Sequence, residues 1–466
     1  MSAHTQHPIS APPAAPIREK TGHLLLRGWC ILVLAGALSG TSLLMVLGPV
    51  AAGVAVFGSA IVSIVLWLVL RPPVQWPRLP WFAVGYVALA VLSLAWSAWP
   101  SATLLTLALL LTTTVHGLFI GAVLTWRELV RATASALKWV LGLSLVFELW
   151  VSLIWGGPIL PQFVRPDGPV PDPIVLWSRD NLLDGGRIQG LFGNANALAY
   201  VALLGMVVFA IRFASRAPRR TLLVGWFVLA AYLFVRAGSA TAYLAAAFTV
   251  VVLLTVLLMR TTRRPGERTR YYLLYAVVAV GGLTALWFGR DRIFALLGRS
   301  ADLTGRESIW GAVAERAAER PLFGWGFSTP WVPTDPAFDR WIVDHGETVM
   351  QAHNMWLDVF LQLGAVGLVV MVTAYLAFIW RSWFFAVDRP RWDLVADRPY
   401  SALTLLPTLT AAQLLVQGLA ESGPLLGWGW MFLVMFAFKI KQAPLIGRGP
   451  SESRLVGEQG ERLTER

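Results

Sequence analysis

The chain has 466 residues, 56% of them apolar and 14% charged, whereas soluble domains carry about 25% charged residues. A water-soluble fold would have nowhere to place that much apolar surface, but a bilayer does, because each helix satisfies its own backbone hydrogen bonds. The net charge of +12 raises the idea of a nucleic-acid partner. The cations sit in short tracts between apolar runs rather than on one folded face, so no nucleic-acid partner is expected.

Along the chain, Ser2 to Lys20 is polar and Pro-rich, and 1–23 is expected to be a disordered cytoplasmic tail. The apolar stretch that follows is too long for a cleaved signal peptide. Runs able to cross about 30 Å of hydrocarbon fall at Leu24–Leu47, Val50–Leu70, Trp81–Trp96, Ala102–Leu124, Ala136–Trp155 and Gly190–Ile211. They continue at Thr221–Val235, Ser239–Met259, Tyr272–Phe288, Asn354–Trp380, Ser401–Ala420 and Leu425–Phe438. The predicted fold is therefore an all-α polytopic bundle of about twelve transmembrane helices over 24–441, with a disordered C-tail over 442–466. Cys30 lies in the first run and is the only cysteine, which excludes an internal disulfide framework or a thiolate metal site.

Lys and Arg set the orientation. Placing both termini in the cytoplasm puts Arg71–Pro80, Thr125–Lys138, Arg212–Arg220, Arg260–Arg270 and Arg381–Pro399 on that side, with Lys20, Lys138, Lys439 and Lys441. Two external segments, 156–189 and 290–352, are too long to be plain turns, and loops of that size carry function. In the second, Thr304 with Glu307 reads as a capping box and Pro321 ends the run. Arg306, Trp310 and Val313 then share the face of an amphipathic helix expected to lie on the outer membrane surface.

The residues able to do chemistry gather on the external side. No P-loop, HExxH or His cluster occurs, so neither ATP-driven transport nor a metal site is expected. Asn194 and Asn196 read as helix caps or a local break. His353 stands where the long loop re-enters the membrane, as a proton acceptor or as a cap. Asn354 and Asp358 follow on one helix face, and the alternative for them is bonding to neighbouring spans. Arg187, Arg236 and Arg306 lie close to the external boundary, where guanidinium groups match phosphate oxygens or meet lipid headgroups. Gln413, Gln417 and Glu421 form a polar stripe facing the bundle interior. Glu148 reads as a structural hydrogen-bonding group.

The run Gln351-Ala-His-Asn-Met-Trp-Leu-Asp-Val-Phe-Leu-Gln-Leu-Gly-Ala-Val-Gly-Leu368 resembles the signature that follows the large external loop in the O-antigen ligase and polymerase superfamily. Arg187-Ile-Gln-Gly-Leu-Phe-Gly-Asn-Ala-Asn-Ala-Leu-Ala199 and Thr304-Gly-Arg-Glu-Ser-Ile-Trp310 with Arg320-Pro-Leu-Phe-Gly-Trp-Gly326 are similar to further motifs of that superfamily, in the same order. The resemblance implies a glycosyltransferase at the outer face of the cytoplasmic membrane, working without cofactor or metal. Its donor would be an undecaprenyl-diphosphate-linked saccharide and its acceptor a hydroxyl of a saccharide or lipid, within exopolysaccharide or cell-surface glycan synthesis. His353 and Arg306 would be catalytic; Arg187, Arg236, Asn194, Asn196, Asn354, Asp358 and Glu421 would bind or orient substrate. Two positions depart from the pattern: Ala240 stands where an arginine is expected, with Arg236 as its substitute, and Gln362 replaces an acid. The contrasting expectation is a multi-pass transporter of a small anion such as bicarbonate, an activity linked to some superfamily members.

Overall fold

The structure, a computed structural model, describes residues 21–164, 173–262, 266–296, 306–344, 346–388 and 400–442. Its helices are α1 (Thr21–Leu38), α2 (Ser42–Leu70), α3 (Trp81–Leu92), α4 (Pro100–Val123), α5 (Trp126–Trp150), α6 (Asn181–Asp184) and α7 (Ala195–Ala214). There follow α8 (Arg220–Ala237), α9 (Ala240–Thr261), α10 (Glu267–Leu296), α11 (Arg306–Glu319), α12 (Met355–Val387), α13 (Leu405–Ala420) and α14 (Gly427–Gln442). A small hairpin of β1 (Val343–Asp344) and β2 (Glu347–Thr348) is the only sheet among the described residues. Nine of these helices are long and apolar enough to cross a membrane; α3, α10 and α14 occupy the remaining expected runs. The chain is an all-α polytopic membrane protein.

Several helices overrun their expected bounds: α5 begins at Trp126 rather than Ala136, α10 covers Glu267–Leu296 rather than Tyr272–Phe288, and α12 ends at Val387 rather than Trp380. One turn also moves. The first crossing ends at Leu38, and the chain turns through Gly40 and Thr41 rather than at Gly48-Pro49. Gly48, at φ 75, is instead a kink within α2. The segment between turn and kink packs on the 190–192 turn before α7, where Thr41 and Ser42 donate to the carbonyls of Phe192 and Leu191.

Burial ranks the helices. Of the apolar window in α13, 72% is buried inside the protein, and in α7 61%, against 11% in α2. Thus α7 and α13 are central, and α2 presents its side chains outward, to lipid by the logic of an apolar surface. Contacts between helix ends sort the bundle into two ends. At one, His23 bonds Glu128 (2.6 Å), the Lys439 ammonium donates to the carbonyls of Gly121 and Leu124, and Gln442 bonds the 75–78 turn. Arg260 donates to Ala386, and Trp126 stacks on Phe385. These are the segments that the Lys/Arg alternation placed together. The starts of α7, α11 and α12 and the end of α13 meet at the opposite end.

Two details of that opposite end position the site. First, α12 is interrupted at Gly364, at φ 62. The loop 321–326 fills the gap: Trp325 and Gly326 donate to Leu361 and Gln362 carbonyls, and Ala365 and Val366 donate to Pro321 and Leu322. A Cβ on Gly364 would overlap the Leu322 carbonyl, so only glycine permits both the left-handed backbone and this approach. Gln362, at the departure from the family pattern, is buried and accepts from the Ser328 amide and the Thr329 hydroxyl. Second, α11 buries Ile309, Val313 and Ala317 against Trp99, Trp331, Phe338 and Leu361. The apolar face expected to lie on the membrane surface is thus covered by the chain's own aromatic segment. Arg316 locks that cover, packing over the rings of Trp99 and Trp341. Thr304, the expected cap of α11, lies outside the described residues.

Candidate active site

The site is organised by one carboxylate. Glu421 follows the last residue of α13, two turns beyond Gln413 and one beyond Gln417, and the whole stripe is buried. Its Oε1 accepts from Arg306 Nη2 (3.0 Å) and from Asn196 Nδ2 (3.0 Å). Its Oε2 lies 2.9 Å from His353 Nδ1 and 3.3 Å from Gln351 Nε2. Asn196 passes the network on, accepting from Arg187 Nη2 at 2.7 Å. Arg187 with Asn196, Arg306 and His353 come from three segments far apart in sequence, yet all meet at Glu421 directly or through one amide.

Local structure explains how each arrives. Asn194 caps α7 by accepting from the amides of Asn196 and Ala197, which leaves the Asn196 side chain free to face Glu421. Asn354 caps α12 in the same way, through Trp356 and Leu357. His353 precedes that cap at φ 50, a left-handed conformation that costs an L-residue about 1–2 kcal/mol and turns the imidazole toward Glu421. Asp358 accepts from the Ala352 amide (3.1 Å) and the Ser422 hydroxyl, joining both sides of the site from beneath. Glu148 holds the loop before α7: it accepts from the amides of Gln189 (3.0 Å) and Gly190 (2.6 Å) and from the Ser178 hydroxyl.

The electrostatics follow from this geometry. Burial pushes the Glu421 carboxyl upward, but the His353 hydrogen bond and charge, the Arg306 charge and the Asn196 amide outweigh it and hold the group below the ordinary glutamate range. An ionised carboxylate only accepts hydrogen bonds, so a neutral His353 carries its proton on Nδ1. The lone pair of Nε2 is then available, and Nε2 bonds to no described residue. The His353 and Arg306 side chains keep 28% and 19% of their exposure, against 9% for Glu421. The cation and the imidazole are therefore reachable while the organising carboxylate is not.

Arg236 stands apart. Its Nη2 donates to the carbonyls of Asn181 and Leu182 at 2.8 Å each, and Asn181 in turn bonds the Arg187 carbonyl. It therefore braces the loop carrying Arg187 rather than entering the cluster. The turn after α8 is filled by Arg187 itself, whose Nε donates to Ala237 at 2.8 Å. Gln351 and Ser422 also belong to the site without a role expected from sequence; Gln351 opens the run 351–368, and the signal for Ser422 is its adjacency to Glu421. No group of three or more His, Cys, Asp or Glu side chains is placed to hold a metal ion among the described residues.

Residues 225–372 match the family model described as O-antigen ligase. The matched segment contains Arg306, Gln351, His353 and Asp358 but ends before Glu421 and begins after Arg187. No curated protein matches the chain.

Proposed function

We propose that the protein transfers saccharide from an undecaprenyl-diphosphate carrier to an acceptor hydroxyl, at a site on the outer face of the cytoplasmic membrane. The supporting observation is the convergence of His353 and Arg306, with Arg187 one amide away, on the buried Glu421. In this reading both termini and the Lys-bearing end are cytoplasmic, as the cation distribution favours, and the product is an exopolysaccharide or another cell-surface glycan.

The chemistry is a displacement at the anomeric carbon. His353 Nε2 takes the proton of the acceptor hydroxyl as its oxygen bonds the anomeric carbon. The bond from that carbon to the diphosphate breaks, and the diphosphate leaves with the electron pair. Arg306 and Arg187 offer donors to the charge that develops on it. Glu421 fixes the tautomer of His353, stabilises its imidazolium and aims Arg306. Protonated His353 then returns its proton to solvent. Asn354 acts through its cap, by setting where His353 stands.

The test is transfer by purified protein in liposomes supplied with a lipid-diphosphate-linked oligosaccharide and an acceptor glycan. His353→Ala is expected to lower the rate per folded molecule at least about a hundredfold. Wild-type transfer by that variant would remove the proposed base. The interruption of α12 favours a second reading, transport of a small anion such as bicarbonate, because transporters place ions at broken helices. Against it, the backbone groups freed by the break are taken by the 321–326 loop. Bicarbonate flux into the same liposomes, undiminished in His353→Ala, would decide for transport.

A further inference from the structure

At the end of the bundle remote from Glu421 a cavity of about 680 Å³ opens between α1, α5 and the α7–α8 turn. Its walls carry Arg27, Arg131, Lys138, Arg212 and Arg219, with Leu222 among the apolar residues, and no acid among the described residues lines it. The cations lie within each other's electrostatic reach, Lys138 with Arg212 and Arg219, and Arg212 with Arg131. Such a cluster is self-repelling unless an anion joins it.

What sets Arg131, Arg212 and Arg219 apart is how the other cations of this end are used. Lys439, Lys441, Arg260 and Arg268 donate to helix-end carbonyls, and Arg220 donates to the Phe213 carbonyl while packing on its ring. The guanidinium groups of Arg131, Arg212 and Arg219 form no hydrogen bond or ion pair with any described residue, although their backbone carbonyls accept from Ser135, Ala217 and Leu223. Their side chains line the cavity at the ends of membrane helices together with exposed Leu222, and exposed Trp139 follows Lys138 of the lining directly in α5, with exposed Leu143 one turn further on. We infer that this cavity binds the phosphate headgroup of an anionic phospholipid, with acyl chains lying along the exposed apolar side chains of α5 and α8. Basic pockets between membrane helices on the cytoplasmic side suit such headgroups. Phosphate chemistry alone would also suit a soluble anion; the adjoining apolar surface favours the lipid.

The experiment uses full-length protein in nanodiscs of phosphatidylcholine doped with phosphatidylglycerol, with retained lipid read by native mass spectrometry after release into detergent. Wild type is expected to keep phosphatidylglycerol selectively, and R131Q/R219Q to bind it about thirtyfold more weakly, from the contribution of each cation near a lipid surface. The charge-preserving R131K/R219K variant should retain most of the binding, which separates lost charge from lost folding. The control R71Q/R381Q removes the same charge from the same end outside the cavity and should behave as wild type. An equal loss in that control would overturn the site in favour of diffuse attraction. Displacement of the lipid by millimolar inorganic phosphate would overturn the lipid assignment in favour of a soluble anion.

Discussion

The two ends of the bundle use the same side chains for different work. At the Lys-bearing end, Lys439 is buried and donates to the carbonyls of Gly121 and Leu124, while Arg260 donates to Ala386 and to Thr404 (2.8 Å). These cations finish helices, satisfying carbonyls that have no partner within their own helix. At the other end Arg306 and His353 meet a single buried carboxylate, and both side chains stay partly exposed. A cation spent on a carbonyl stabilises the fold; a cation aimed by a carboxylate keeps donors for a ligand. Function is therefore signalled by the partner of the arginine or histidine and not by its charge.

That contrast can be broken most directly at Glu421. Glu421→Gln keeps the shape but removes the charge that aims two groups, and transfer is expected to fall about a thousandfold in the liposome assay. A pH signature accompanies it. A carboxyl whose folded pKa is depressed contributes stability that is complete above the unfolded glutamate value and is lost as pH falls through the folded one. Wild type should accordingly lose thermal stability in acid, below about pH 4, and Glu421→Gln should lack that component of the decline. An identical acid limb in both proteins would mean that the Glu421 charge is not held by His353 and Arg306.

Arg306→Ala comes next, with about a hundredfold lower transfer per folded molecule, on top of the stability lost by leaving the buried Glu421 charge with one cation fewer. A loss confined to stability would put Arg306 in the same class as Lys439. Gly364→Ala tests the frame beneath the site: the added methyl meets the Leu322 carbonyl, and overpacking of this kind costs about 1–3 kcal/mol, read as a lower unfolding temperature in detergent. The smallest effect is expected at the far end. Lys439→Met leaves two carbonyls without their donor and should cost about 1–2 kcal/mol of stability, while transfer per folded molecule stays at the wild-type level. Impaired transfer by this variant would tie the two ends together and end the division of labour.

The membrane spans were legible because apolar runs of bilayer length have one physical outcome, and the pairing of helix ends followed from where Lys and Arg fall. His353, Arg306 and Glu421 were visible as polar residues at the boundary. Their mutual geometry was not, since they are separated by 47 and 68 positions in the chain (353 − 306 and 421 − 353) and local spacing carries no information over such intervals. Arg236 and Arg187 looked equivalent in sequence, both at span ends facing outward. Only the folded chain assigns one to the carbonyls of Asn181 and Leu182 and the other to Asn196.

The sequence by itself thus determined an all-α chain crossing a membrane, with its lysines gathered at one end of the bundle, because hydropathy and charge act locally and additively. Tertiary structure alone decided that α12 breaks at Gly364 to admit the 321–326 loop, that α11 lays its apolar stripe on Trp331 and Phe338 instead of lipid, and which arginine reaches Glu421. Those outcomes depend on hydrogen bonds and close contacts between segments remote in sequence, and their energies exist only once the helices have packed.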